Sequence, residues 1–154
     1  MGTITASPFN WLEASYFYYR PSDLIFGNSP GLYLDKGFNV KFRYKPKALK
    51  STFFAIGLDD LAGTGLLSKE YIVGTSNLNE YLKLSVGLGW GKFVGTKPIK
   101  NPLSKISESF STRPLESDNY NLGGSLSYDK WFRGDANFFG GLEFSLPNKL
   151  KIKL

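Results

Sequence analysis

Apolar and polar side chains alternate with a period of two along most of this chain. Between Tyr81 and Trp90, three leucines, a valine and Trp90 share one side of the segment, while Lys83, Ser85 and two glycines share the other. A period of two over this length predicts a β-strand with one apolar face. The segment also has the length, roughly 9–11 residues, that a tilted strand needs to cross a bilayer.

The same alternation recurs throughout the sequence. It is present in residues 12–19, 38–45, 54–59, 120–129 and 138–146, with a further strand around Tyr71 and a short one in residues 149–154. Turn signals rich in Pro, Gly and Asn separate these segments, at residues 20–23, 28–31, 46–47, 62–65, 76–79 and 147–148. We therefore predict an all-β fold, an antiparallel meander of about seven strands plus a truncated one, in a single domain over residues 1–154. A long loop is expected at residues 95–119, with a short helix near residues 103–109.

The direction of the apolar face distinguishes two kinds of all-β protein. A soluble barrel or sandwich turns this face into its core, whereas an outer-membrane barrel turns it to lipid and lines its interior with small or polar side chains. Aromatic residues end several apolar stripes, as an interfacial girdle would: Tyr44, Trp90 and Tyr128. Small residues are frequent on the opposite side: Gly57, Gly74, Ser85, Gly87, Gly89 and Ser125. Both features favour part of an outer-membrane β-barrel.

Composition removes several classes of function. The chain has no Cys and no His, which excludes disulfides, zinc sites and Ser-His-Asp or Cys-His catalysis within it. We expect no cofactor, no metal and no catalytic residue. The formal net charge is +6, but the basic residues are dispersed among aromatic positions, so nucleic acid is not an expected partner.

Several polar side chains are candidates to face a barrel lumen. They are Glu13, Lys41, Arg43, Asp59, Glu70, Lys83 and Glu143. The basic members would either attract an anionic polysaccharide or pair with acidic residues on neighbouring strands. Trp131 and Arg133 form a possible sugar-contact loop, although the same residues could be an interfacial anchor or a turn.

The carboxylates around residues 63–65 admit two interpretations. Glycosidases use paired carboxylates, so Asp59, Asp60 and Glu70 could act on a sugar. An Asp- and Gly-rich turn, with Glu70 paired to a basic side chain, is the interpretation we favour, because sequence spacing does not show that two carboxylates flank one bond.

Four short motifs resemble those of a known family. They are Gly-Leu-Asp-Asp at residues 57–60, Gly-Thr-Gly at 63–65, Ser-Lys-Glu-Tyr at 68–71 and Leu-Gly-Trp-Gly at 88–91. Flanking matches are Trp-Leu-Glu-Ala at residues 11–14, Asn-Pro at 101–102 and Trp-Phe-Arg-Gly at 131–134. This ordered set resembles the YjbH family of outer-membrane proteins associated with exopolysaccharide and group 4 capsule production.

The resemblance implies a non-enzymatic protein of the bacterial outer membrane that supports secretion of an exopolysaccharide or capsule. Its expected partners are outer-membrane lipid, the polysaccharide and other exopolysaccharide secretion components. The alternative is a soluble β-barrel or sandwich that binds carbohydrate. Residues 1–8 lack the basic and apolar regions of a signal peptide, and the last strand is short. We therefore expect the chain to be part of a larger barrel or to be completed by other copies.

Overall fold

A computed structural model describes residues 2–20, 34–63, 65, 67–114, 126, 128–146 and 150–154. The described residues form eight β-strands in one sheet. The strands are β1 (Gly2–Phe9), β2 (Leu12–Tyr19), β3 (Asp35–Tyr44), β4 (Thr52–Leu61), β5 (Lys69–Asn77), β6 (Leu82–Gly91), β7 (Ala136–Ser145) and β8 (Lys151–Lys153). Each strand pairs antiparallel with the next, so the order in the sheet equals the order in the chain. The all-β fold and the antiparallel meander are thus confirmed.

The two ends of the sheet differ in the length of their connections. At one end, the short-turn end, β1–β2 are joined by residues 10–11, β3–β4 by 45–51, β5–β6 by 78–81 and β7–β8 by 146–150. At the other, the long-loop end, the connections are residues 20–34, 62–68 and 92–135. Among the described residues, no helix is both long and apolar enough to cross a membrane.

The strand register sorts the side chains onto two faces, because residues opposite each other in an antiparallel pair point the same way. One row across the sheet reads Leu12, Phe42, Ile56, Ile72, Leu88, Phe138. The adjacent row, pointing the other way, reads Glu13, Lys41, Gly57, Tyr71, Gly89, Asn137. We refer to these sides as the apolar face and the polar face.

The polar face is the more buried of the two. Val86 and Phe138, on the apolar face, are 52% and 67% exposed. Thr75 and Ala55, on the polar face, are each 7% exposed. A single sheet shelters one face by curving around it, so the polar face is the inner side. This distribution is the reverse of the one expected in a soluble barrel.

Aromatic rings lie over glycines on the polar face. Tyr71 covers Gly57 and Phe139 covers Gly87 so closely that a Cβ atom at either glycine would collide with the ring. A Cβ at Gly89 would lie 2.6 Å from Phe93. The three rings also contact one another, with Phe93 and Phe139 stacked at 5.1 Å between centroids. These glycines therefore supply the space in which large rings fill the inner side.

Several details correct the sequence analysis. β1 was not predicted, because Thr3 to Ser7 alternates only weakly. Gly74 lies on the apolar face, since it pairs with Phe54 and Val86. The predicted strand at 120–129 falls mostly outside the described residues, and Tyr128 begins a 3-10 helix (Tyr128–Lys130) instead of ending a strand. The predicted helix near residues 103–109 is two 3-10 helices, Pro102–Lys105 and Glu108–Phe110.

The glycine–ring packing makes a testable prediction. Replacement Gly57→Ala should lower the free energy of unfolding by about 1–3 kcal/mol, because the added methyl group forces the Tyr71 ring out of place. The matched control is Gly74→Ala on the neighbouring strand. There the new Cβ would lie 3.3 Å from the ring of Phe54, which is exposed and free to shift, so we expect a change within about 0.5 kcal/mol. Urea unfolding followed by tryptophan fluorescence measures both, and equal effects would contradict the packing argument.

Candidate functional site

Lysine–carboxylate pairs cross the polar face between neighbouring strands. Lys41 Nζ lies 2.6 Å from Glu13 Oε1, joining β3 to β2. Lys69 Nζ lies 3.4 Å from Asp59 Oδ2, joining β5 to β4. Both pairs are directly opposite in the register, so the alternation of each strand is what brings them together.

A third pair has an excess of positive charge around it. Lys83 Nζ donates to Glu143 Oε1 at 2.9 Å, across β6 and β7. Lys151 and Lys153 of β8 lie 3.9 and 3.6 Å from the same carboxylate. Three ammonium groups therefore share one carboxylate, and this part of the polar face keeps a net positive charge.

Arg43 makes a different contact on the polar face. Its guanidinium lies 5.1 Å from the centroid of the Phe53 ring, in a cation–π arrangement. The two residues line a cleft of about 600 Å³ at the short-turn end, together with Glu13, Lys50 and Asn77. Six of the seven predicted lumen side chains therefore lie on one face, at Glu13, Lys41, Arg43, Asp59, Lys83 and Glu143.

Glu70, the seventh predicted lumen residue, lies on the apolar face. It pairs with Leu58 and Trp90 across the sheet, and its side chain is 1% exposed. Arg113 holds it from the β6–β7 connection, with Nη1 donating to Oε2 at 2.7 Å and Nη2 to Oε1 at 3.0 Å. The backbone N–H of Phe132 also donates to Oε2, at 3.1 Å. Glu70 therefore does not share the face of the other six residues, because it lies two positions before Ile72 and points to the same side of β5. Its expected pairing with a basic side chain is present, in Arg113.

The β6–β7 connection forms a folded cover at the long-loop end. Asn101 is buried, and its Nδ2 donates to the carbonyl oxygens of Phe110 and Phe132 at 2.8 and 2.7 Å. The Phe132 ring meets Trp90 edge-on at 5.2 Å. Trp90 is fully buried, which corrects the prediction that it belongs to an exposed aromatic girdle.

The possible sugar-contact residues lie in the same cover. Trp131 is half-buried against Tyr128, with ring centroids 4.9 Å apart, and Arg133 is half-buried in the following turn. No observation joins them to the lysine–carboxylate pairs of the polar face, so their contact with sugar stays a prediction. Sequence reasoning missed Arg113, Asn101 and Phe132 as structural residues, although Asn101 and Phe132 fall in the motifs quoted above.

The acidic residues around residues 63–65 do not form one carboxylate pair. Asp59 lies on the polar face beside Lys69, whereas Glu70 lies on the apolar face beside Arg113. Asp60 is buried where the β3–β4 register shifts, with a φ of 62°, and its Oδ2 accepts from the Leu67 N–H at 3.1 Å. The described residues hold no group of three or more acidic side chains suited to a metal ion.

Comparison with known proteins identifies the family. The family model described as exopolysaccharide biosynthesis protein YbjH matches residues 1–154. This chain belongs to the YjbH family. A relative in Escherichia coli K12, named uncharacterized lipoprotein YjbH, is 31% identical over 154 residues, covering 95% of this chain. The chain spans 21% of that relative's length. No solved structure matches the chain.

The cover of this family member depends on the Glu70–Arg113 pair. Substitution Glu70→Gln should lower the free energy of unfolding by about 3 kcal/mol, because it leaves the Arg113 charge without its buried partner. Urea unfolding measures the loss, and limited proteolysis should show faster cleavage within residues 92–114.

The control for this substitution is Glu108→Gln in the same connection. Glu108 is exposed and makes no ion pair among the described residues, so its loss should cost no more than about 0.5 kcal/mol. Equal stability of the two variants would show that the buried pair does not hold the cover.

Proposed function

We propose that this chain is an arc of an outer-membrane β-barrel whose polar face lines a path for an exopolysaccharide or capsular polymer. The wall acts passively and no chemical step is needed. The observation on which the proposal depends is the inversion of the sheet: most of its exposed apolar side chains are on one face, and its lysine–carboxylate pairs are on the other, sheltered face. Membership of a family concerned with exopolysaccharide biosynthesis supplies the class of polymer.

The exposed side chains of the apolar face are of the kinds that outer-membrane barrels present to lipid. They include aromatic residues such as Phe9, Tyr18 and Phe38 and aliphatic residues such as Ile72 and Val86. An apolar outer surface rich in aromatic residues is typical of outer-membrane barrels. The strands β1 to β7, with 8 to 10 residues, have nearly the length required to cross.

The two ends of the sheet support one orientation in the membrane. Outer-membrane barrels have short turns on the periplasmic side and long loops outside, so the short-turn end would face the periplasm. The β6–β7 cover lies on the apolar face at the other end, over Trp90 and Glu70. Lipid cannot contact that part of the face, which is the arrangement expected where the strands project beyond the bilayer.

The polar face has the character of a wall that a polymer can slide along. Most of its charges are paired across strands, as in Lys41–Glu13 and Lys69–Asp59, so most of the wall would bind a sugar chain only weakly. Conduction requires binding that is weak and repeated along the path. The E. coli relative is named a lipoprotein, and a lipid anchor would place such a wall in the cell envelope beside other secretion components.

A charge placed on the apolar face tests the membrane assignment. Substitution Val86→Arg should destabilise the assembled barrel by about 2–4 kcal/mol, because an arginine there would have to enter the hydrocarbon layer. The matched control is Thr5→Arg, which puts the same side chain on an exposed part of the polar face. The full-length protein carrying each change is tested for its yield in the outer-membrane fraction and for heat-modifiable migration on a gel.

Val86→Arg should reduce the membrane yield strongly, and Thr5→Arg should leave it near the unsubstituted level. A soluble carbohydrate-binding barrel gives the opposite result. Because Val86 is half-exposed, arginine would then be tolerated within about 0.5 kcal/mol, and the protein would stay in solution without detergent.

A further inference from the structure

We propose that the cleft beside Arg43 is a binding site for carboxylate-bearing sugar units, which makes the secreted polymer an acidic one. This inference rests on the proposed function, because it assigns a chemical class to the polymer that the polar face would guide. It depends on the distribution of charge along that face, on the geometry of Arg43 and on the shape of the cleft.

Positive charge is concentrated at the short-turn end of the polar face. Lys83, Lys151 and Lys153 share the single carboxylate of Glu143 there. At the long-loop end of the same face, Asp59 and Lys69 form a one-to-one pair. A polymer that approaches from the short-turn end therefore meets net positive charge first, and this favours an anionic chain.

The cations of the cleft are available to a ligand. None of the ion pairs among the described residues involves Arg43, Lys45 or Lys50, although all three line the cleft and are exposed. The carboxylate in the cleft, Glu13, is already paired with Lys41 at 2.6 Å. The cleft as a whole therefore has an uncompensated positive charge.

The guanidinium of Arg43 is able to bind a carboxylate. Its Cζ lies 5.1 Å from the centroid of the Phe53 ring, and none of the ion pairs among the described residues uses its N–H groups. A planar guanidinium matches a carboxylate with two parallel hydrogen bonds, which a lysine cannot reproduce.

The rest of the cleft suits a sugar ring. Its volume of about 600 Å³ is enough for one or two sugar units. The side-chain amide of Asn77, which also lines the cleft, can bond to sugar hydroxyl groups. Since both charge and shape are present in one place, an acidic sugar is favoured over a neutral one.

The test compares an acidic with a neutral oligosaccharide of equal length. The full-length protein in detergent micelles is titrated calorimetrically with hexagalacturonate and with maltohexaose at low and at physiological salt. We expect hexagalacturonate to bind about tenfold more tightly or better, with affinity falling as salt rises. Arg43→Gln should weaken hexagalacturonate about tenfold and leave maltohexaose unchanged, while Arg43→Lys should give an intermediate loss.

The matched control is Lys105→Gln, which removes the same charge from an exposed position at the long-loop end. At physiological salt it should change hexagalacturonate binding less than about twofold, because Lys105 lies in the β6–β7 connection at the opposite end of the strands from the cleft. Phe53→Leu provides a second variant that keeps every charge and removes only the ring under Arg43, and it should also weaken the acidic ligand selectively.

Equal affinity for the two oligosaccharides, or equal losses in Arg43→Gln and Lys105→Gln, would overturn the site. That outcome is separable from failure of the barrel proposal. A protein that assembles in the outer membrane but does not prefer hexagalacturonate rejects the acidic polymer alone. If the protein tolerates Val86→Arg and still prefers hexagalacturonate, the membrane assignment is rejected and the binding site in the cleft is supported.

Discussion

Cross-strand pairing on the sheltered face is the interaction on which the rest of this structure depends. On the polar side, most contacts among the described residues are between neighbouring strands, and Phe93 of the β6–β7 connection joins them at the long-loop end. The groups on that side therefore satisfy one another. Lysines meet carboxylates on adjacent strands, Thr75 and Ser85 share a hydrogen bond at 2.9 Å, and rings occupy the space above glycines. With the polar groups paired among themselves, the apolar side chains are left on the exposed side. The inversion of the sheet thus follows from satisfying the hydrogen-bonding and charged groups of its inner side.

The β6–β7 cover shows how the same sheet can present two environments on one face. Over most of its area the apolar face exposes side chains such as Ile72 and Val86, but at the long-loop end it contains Glu70 and Trp90. A carboxylate on that face is compatible with the fold because Arg113 and the Phe132 N–H bind both of its oxygens. Within β5 and within β6, the apolar face therefore changes from exposed aliphatic side chains to residues buried under the cover. In a membrane barrel this boundary would coincide with the surface of the bilayer.

Local alternation was sufficient to predict most of the strands and the face of most polar residues, since a period of two is a property of each segment by itself. It predicted that Lys41 and Glu13 share a face, and the register confirms it.

Local alternation failed where the outcome depends on distant chain segments. Trp90 continues an apolar stripe in the sequence, but Phe132 covers it from the loop. Glu70 was assigned to the lumen although it alternates in step with Ile72, because the distant Arg113 that accommodates a carboxylate on the apolar face is not visible to a local pattern. β1 was missed because Thr3 to Ser7 alternates only weakly between apolar and polar side chains, and the strand is defined by its pairing with β2.

The meander order has a consequence for how such a wall can evolve. Among the described residues, every strand pairs only with its neighbours in the chain. Duplication or insertion of a hairpin at either margin would therefore leave all existing registers unchanged and simply widen the arc. Proteins related in this way can differ in barrel diameter by steps of two strands and still keep the same residues on the inner face of each shared strand. Proteins of very different length can then share the short motifs of one segment.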